Sequence, residues 1–112
     1  LRGGTAASVE IYGADPEAGD FPTIAVAGEA SFNTIWQLAI DALGLKHIGN
    51  MRWLRRADLP EILEELGRLA EAPLPALPAA ERERLRQAAA RLGRELAERW
   101  EACPHAARLW MG

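Results

Sequence analysis

Ser8-Val9-Glu10-Ile11-Tyr12, followed by the turn-rich Gly13 to Asp20 and then Phe21-Pro22-Thr23-Ile24-Ala25-Val26-Ala27, decides the fold class. The first segment alternates polar and apolar residues, the period of a half-buried strand. Gly13 to Asp20 gathers Gly, Pro and Asp residues, which punctuate chains as turns. The second segment places Ile24 and Val26 on one face and Thr23, Ala25 and Ala27 on the other. Pro22 falls near its start, where a missing N–H is tolerated on a sheet edge. The connection is short, so the two strands are expected to pair as an antiparallel hairpin.

The periodicity then changes from two to 3.6. Gly28 to Phe32 reads as a turn, with Asn33 as N-cap of a helix over Thr34 to Leu43. Ile35, Leu38, Ala39 and Ala42 form one stripe, which Trp36, Ile40 and Leu43 widen, so this helix should be nearly surrounded. Gly44 suits the left-handed residue that ends many helices. Leu45 to Asn50 is a connection, and Met51 to Arg55 is a third, short strand. Asp58, Pro60 and Glu61 announce a second helix, with Asp58 capping, Glu61 three residues on as in a capping box, and proline in the first turn. Leu59, Ile62, Leu63, Leu66, Leu69 and Ala70 give its apolar stripe, and Gly67 suggests a close approach.

Residues 72–78 contain three prolines and predict a stiff extended connector. The longest element follows, Ala80 to Ala102, with Leu85, Ala89, Leu92, Leu96, Trp100 and Cys103 at steps of three and four. Pro104 stops it, and Ala106 to Met111 is expected to add a last strand beside the hairpin. The result is one α+β domain over residues 6–112: a small antiparallel sheet packed on one side by three helices, the last one long. Leu1-Arg2-Gly3-Gly4 resembles the C-terminal tail of ubiquitin, and Leu1 to Thr5 is expected to be a cloning remnant.

The 112 residues carry a formal charge of -3, which disfavours a dedicated nucleic-acid binder. No apolar run approaches the ~20 residues of a membrane span. With no secretory signal and a single cysteine, the cytoplasm is the expected location. Twelve of the thirteen basic residues are arginine, the mark of a GC-rich coding sequence. Neither serine lies in a nucleophile motif, and there is no phosphate loop or dinucleotide fingerprint. Cys103 continues an apolar stripe and reads as a buried, inert thiol, with His105 at the surface. His47, His105 and Cys103 follow no metal-ligand spacing, so neither metal nor cofactor is expected. Paired acids such as Glu64-Glu65 are expected on solvent faces.

Charge order along the chain is the most informative feature. Gly3 to Leu45 holds no basic residue but six acids: Glu10, Asp15, Glu17, Asp20, Glu29 and Asp41. Lys46, Arg52, Arg55 and Arg56 follow with no acid among them. Such segregation is read either as ordinary clustering on a small domain or as a partner surface. The candidate partner-binding residues are Glu10, Asp15, Glu17, Asp20, Lys46, Arg52, Trp53, Arg55 and Arg56. Trp53, Trp36 and Trp100 are expected in the core, and Trp110 has no evident place.

The plan resembles small bacterial α+β proteins, some of them encoded near toxins or on mobile elements; no residue carries over from that resemblance. The function expected is a non-enzymatic protein-binding module, such as an immunity protein, an inhibitor or a regulatory adaptor. Its acidic N-terminal surface would steer it to a basic partner. The alternatives are a small enzyme without a recognisable motif and a weak nucleic-acid binder through Lys46 to Arg56, where Trp53 would stack on a base. The alanine-rich stripe of the long helix is expected to meet its copy in a homodimer, unless the preceding helix covers it.

Overall fold

The computed structural model describes residues 7–112, and the reading of Leu1 to Thr5 lies outside them. Strands β1 (Ser8–Tyr12) and β2 (Ile24–Gly28) form the expected antiparallel hairpin. Its register shifts between Val9 and Glu10, a bulge that increases the local twist. Strands β3 (Arg52–Arg55) and β4 (Arg108–Met111) complete one four-stranded sheet in the order β2-β1-β4-β3, antiparallel throughout. The last strand therefore enters the middle of the sheet. Gly112 extends its ladder by exchanging both backbone bonds with Glu10.

The three helices lie against one face. Helix α1 spans residues 29–43, α2 is Leu59–Glu71 and α3 is Ala79–Ala102. Val9, Ile11, Ile24, Val26, Leu54, Leu109 and Met111 point from the sheet into the core. There they meet Phe32, Trp36 and Ile40 of α1, Ile62, Leu66 and Leu69 of α2, and the α3 stripe from Leu85 to Trp100.

Three local expectations are corrected. Helix α1 begins at Glu29 directly after β2, with Gly28 as its N-cap; Asn33 lies inside it and caps nothing. The apolar pair Phe32 and Trp36 explains this. A π turn over Phe32–Trp36 aims both rings at the core, where they stack with centroids 5.5 Å apart. Second, α2 starts where expected, but Asp58 makes no capping hydrogen bond, and Glu61 turns to His47 instead. A short 3-10 turn over Arg56–Asp58 leads into the helix and leaves Asp58 outside the extended geometry that a cap needs. Third, Gly67 is no close approach: a Cβ there meets nothing within 4 Å. Gly44 does take the left-handed conformation, at φ +65°.

The stripe of α3 is closed within one chain. Leu85, Leu92, Leu96 and Trp100 are all buried, with Ile62, Leu66 and Leu69 in the same core cluster. The preceding helix thus covers the leucines of the stripe, while Ala88, Ala90 and Ala97 beside them are half-buried. The proline-rich connector between α2 and α3 is part of the core as well. Leu74 and Leu77 are buried, and the guanidinium groups of Arg82 and Arg86 donate to the carbonyls of Pro73, Leu74 and Ala72.

Candidate functional site

Among the described residues no helix covers the second face of the sheet. Alternation puts Tyr12, Trp110, Trp53, Arg108 and Arg55 on it, opposite the buried Ile11, Leu109 and Leu54. The pairing Tyr12 to Trp110 to Trp53 makes a row of three aromatic residues across adjacent strands. Trp53 and Trp110 meet edge to face at 5.1 Å, and the Arg108 guanidinium lies 3.9 Å from the Trp53 ring centroid. Trp53 is nonetheless 38% exposed, which corrects its expected place in the core. The period of a strand reveals two faces but not which one the helices will cover. Trp110 packs here, so the indole without an evident place is part of this row. Beside it, Met51 is 72% exposed and holds a left-handed backbone at φ 59°. A methionine in that conformation is strained, and such strain concentrates at functional sites.

Arg55 stands opposite Arg108 across β3 and β4. With Arg56, Ala57, Pro104 and Ala107 they line an open groove of about 570 Å³. Arg56 donates to the Trp100 carbonyl, and Arg108 grips Asp15 through two nitrogens at 2.7 and 3.2 Å. That grip holds the Asp15 carboxyl below its usual range, against a lesser upward push from burial.

Glu10 lies on the central strand β1, on the same open face as Tyr12, and Glu17 is exposed in the 3-10 turn Pro16–Ala18. Asp15 and Asp20 are engaged by Arg108 and His105. Lys46 belongs to the connection under α2, and Arg52 turns to the opposite side of β3 and donates to the Lys46 carbonyl. The expected residues therefore do not share one surface. Arg55 and Arg56 line the groove and Trp53 adjoins it through Arg108, while Lys46 and Arg52 stand apart. Arg108, Trp110 and Met51 join the first group and were missed. Their only signal was the alternation of a strand too short to settle a face.

Loss of the Asp15 grip has a defined pH dependence. Asp15 has a lower pKa folded than unfolded, so its contribution is full above the unfolded value of about 4 and fades as pH falls through the lower folded value. Arg108→Gln should therefore be less stable than wild type at neutral pH, with a gap that narrows on acidification. Urea titrations at about pH 7 and about pH 3 check this. A gap of constant size would assign the whole loss to the contact with Trp53.

A second cluster joins distant parts of the chain. Asp20 precedes β2, and Cys103 and His105 flank Pro104 after α3. His105 Nε2 lies 2.9 Å from Asp20 Oδ1 and 3.4 Å from Cys103 Sγ, and Sγ lies 3.8 Å from the same oxygen. This is not a catalytic triad, in which the two imidazole nitrogens face different partners. Here one nitrogen faces both. Burial, and then Asp20, push the Cys103 thiol up, the reverse of an activated nucleophile. The hydrogen bond from His105 holds the Asp20 carboxyl below its usual range.

Glu65 corrects the expectation that the acids of α2 face solvent. It is 5% exposed, and its carboxylate accepts the backbone N–H groups of Lys46, His47 and Ile48 at 2.9 to 3.1 Å. Among the described residues no helix is long and apolar enough to cross a membrane. Comparison with known protein families, with curated proteins and with solved structures finds no match to the chain.

Proposed function

We propose that the chain is a non-enzymatic protein-binding module that docks through the open face of its sheet. The observation that carries this reading is the row Tyr12, Trp110 and Trp53, flanked by Met51 and Arg108, on a face that no helix of the described residues covers. Tryptophan, tyrosine, methionine and arginine are the residue types enriched at the centres of protein interfaces. Arg55, Arg56 and Arg108 border the row, with Asp15 paired to Arg108 and Glu17 near it. Charge complementarity then favours an acidic partner surface with an apolar recess for Trp53 and Met51. An immunity protein, an inhibitor or a regulatory adaptor would each work in this way.

Base stacking fits the same face less well. It needs a free ring face and uncompensated cations. Arg108 already covers one face of Trp53, and Asp15 offsets its charge.

A photo-crosslinker at position 51, compared with one at Glu83 on the exposed side of α3, tests the reading in the cells of origin. Position 51 should capture one acidic protein that position 83 does not. With that protein purified, Trp53→Ala and Met51→Asp should each weaken binding by about 30-fold or more, as interface hot spots do. Equal capture at both positions, or unchanged affinity in both variants, would overturn the proposal. Salt-sensitive binding of a single-stranded oligonucleotide, lost in Trp53→Ala, would replace it with the nucleic-acid reading.

A further inference from the structure

The geometry points to a metal site: we propose that Asp20, Cys103 and His105 bind one borderline divalent transition ion, zinc foremost, and leave its fourth position open. The three ligand atoms converge rather than form a chain. Oδ1, Sγ and Nε2 are mutually separated by 2.9, 3.4 and 3.8 Å. With zinc bonds of about 2.3 Å to sulfur and about 2.0–2.1 Å to nitrogen or oxygen, tetrahedral angles place sulfur about 3.6 Å from its neighbours and nitrogen about 3.3 Å from oxygen. Each observed separation lies within about 0.4 Å of that figure, so small side-chain rotations suffice to admit the ion. One ligand of each element selects a borderline ion. Calcium and magnesium prefer oxygen throughout, whereas thiolate and imidazole suit zinc and its neighbours.

The segments that carry the ligands are fixed to one buried ring. The Trp100 indole N–H donates to the Ala106 carbonyl, and the Ala106 N–H donates to the Cys103 carbonyl. This shapes the turn that presents Cys103 and His105 on the same side. Phe21, the neighbour of Asp20, is buried edge-on against Trp100 at 6.4 Å. The remaining side of the cluster is open. The Asp20 and His105 side chains are 69% and 52% exposed while Cys103 is buried. A bound ion would thus face solvent and carry a water, the pattern of sites that keep a position for exchange. On binding, a metal–sulfur bond forms as the thiol S–H bond breaks, and the proton leaves to water. No electron is transferred.

Cobalt(II), followed by displacement with zinc, is the probe. The purified full chain should bind one cobalt per molecule and give the near-ultraviolet charge-transfer band of a thiolate ligand. It should also give the intense visible bands of four-coordinate cobalt, and zinc should abolish both. Cys103→Ser should remove the charge-transfer band. Asp20→Asn and His105→Ala, both at exposed positions, should weaken binding about tenfold or more while far-ultraviolet circular dichroism is unchanged. His47→Ala, in the separate contact with Glu61, should bind as wild type does. Absence of the charge-transfer band at a large excess of cobalt would overturn the site. So would wild-type affinity in both Asp20→Asn and His105→Ala, or a stoichiometry of one ion per two chains, since the thiol would then act without its two neighbours.

Discussion

Trp100→Ala is expected to lower the free energy of unfolding by about 3–5 kcal/mol, the range for deleting a large buried aromatic side chain. Trp100 is completely buried and stands where three parts of the fold meet. It belongs to the helix stripe that α2 covers, touches Phe21 before β2, and ties down the turn before β4 through Ala106. Deletion leaves a cavity and also strips the buried Ala106 carbonyl of its donor. Trp100→Phe separates the two effects. It keeps most of the apolar contact and loses the N–H, so a smaller loss of about 1–3 kcal/mol is expected. Urea titration of both variants is the measurement. A loss below about 1 kcal/mol in the alanine variant would show that the core closes without this ring.

How far the sequence could be read is clearest at particular residues. Val9, Ile11, Ile24 and Val26 declared their strands because alternation is a local property. Leu85 to Trp100 declared the long helix for the same reason, with Pro104 as its stop. Asn33 misled because a good capping residue is only a weak local preference. The stacked pair Phe32 and Trp36 gains more by facing the core, and the helix extends back to Glu29 to aim both. Trp53 misled for a different reason. A strand always has two faces, and whether a Trp is buried depends on where three helices, all distant in sequence, come to rest.

The candidate sites were harder to read because they are made by pairs far apart in the chain. Asp15 and Arg108 are 93 residues apart, and Asp20 and His105 are 85 apart. Segregation of charge along the sequence therefore said little about segregation in space. The acidic stretch and a late arginine form one contact, and β4 is the cause. It inserts between β1 and β3, carrying Arg108 and Trp110 to the middle of the sheet. Cys103 and His105 were visible as neighbours. What the sequence could not show was Asp20 beside them, brought there by the packing of its neighbour Phe21 on Trp100.

Glu64 and Glu65 are adjacent acids on one helix, and their replacement by alanine is expected to have opposite consequences. Glu64 is exposed, and Glu64→Ala should change stability by no more than about 0.5 kcal/mol. Glu65→Ala should cost about 2–4 kcal/mol, because three backbone N–H groups lose a charged acceptor and the buried one, on Ile48, has no water to turn to. The spacing on α2 explains why the carboxylate is there. Glu61, Glu65 and Arg68 recur at steps of four and three, so they form a polar stripe at the helical period. That stripe borders a segment of chain, with Glu65 buried against it and Glu61 and Arg68 at the exposed margins. Glu61 meets the His47 ring, Glu65 takes the amides of residues 46–48, and Arg68 donates to the Leu43 carbonyl at the end of α1. The connection from α1 to β3 has no regular secondary structure, and Leu45 and Ile48 within it are buried. Its backbone polar groups must find partners, and a carboxylate with two oxygens serves three of them. Glu65→Gln should lie between the two alanine variants, since an amide keeps one acceptor oxygen but turns a donor toward donors. Denaturant midpoints rank the three, and hydrogen exchange locates the effect. The amides of Lys46, His47 and Ile48 should lose protection in Glu65→Ala and keep it in Glu64→Ala. Equal losses at the two positions, or three amides that exchange as in wild type, would show that the carboxylate does not hold this segment.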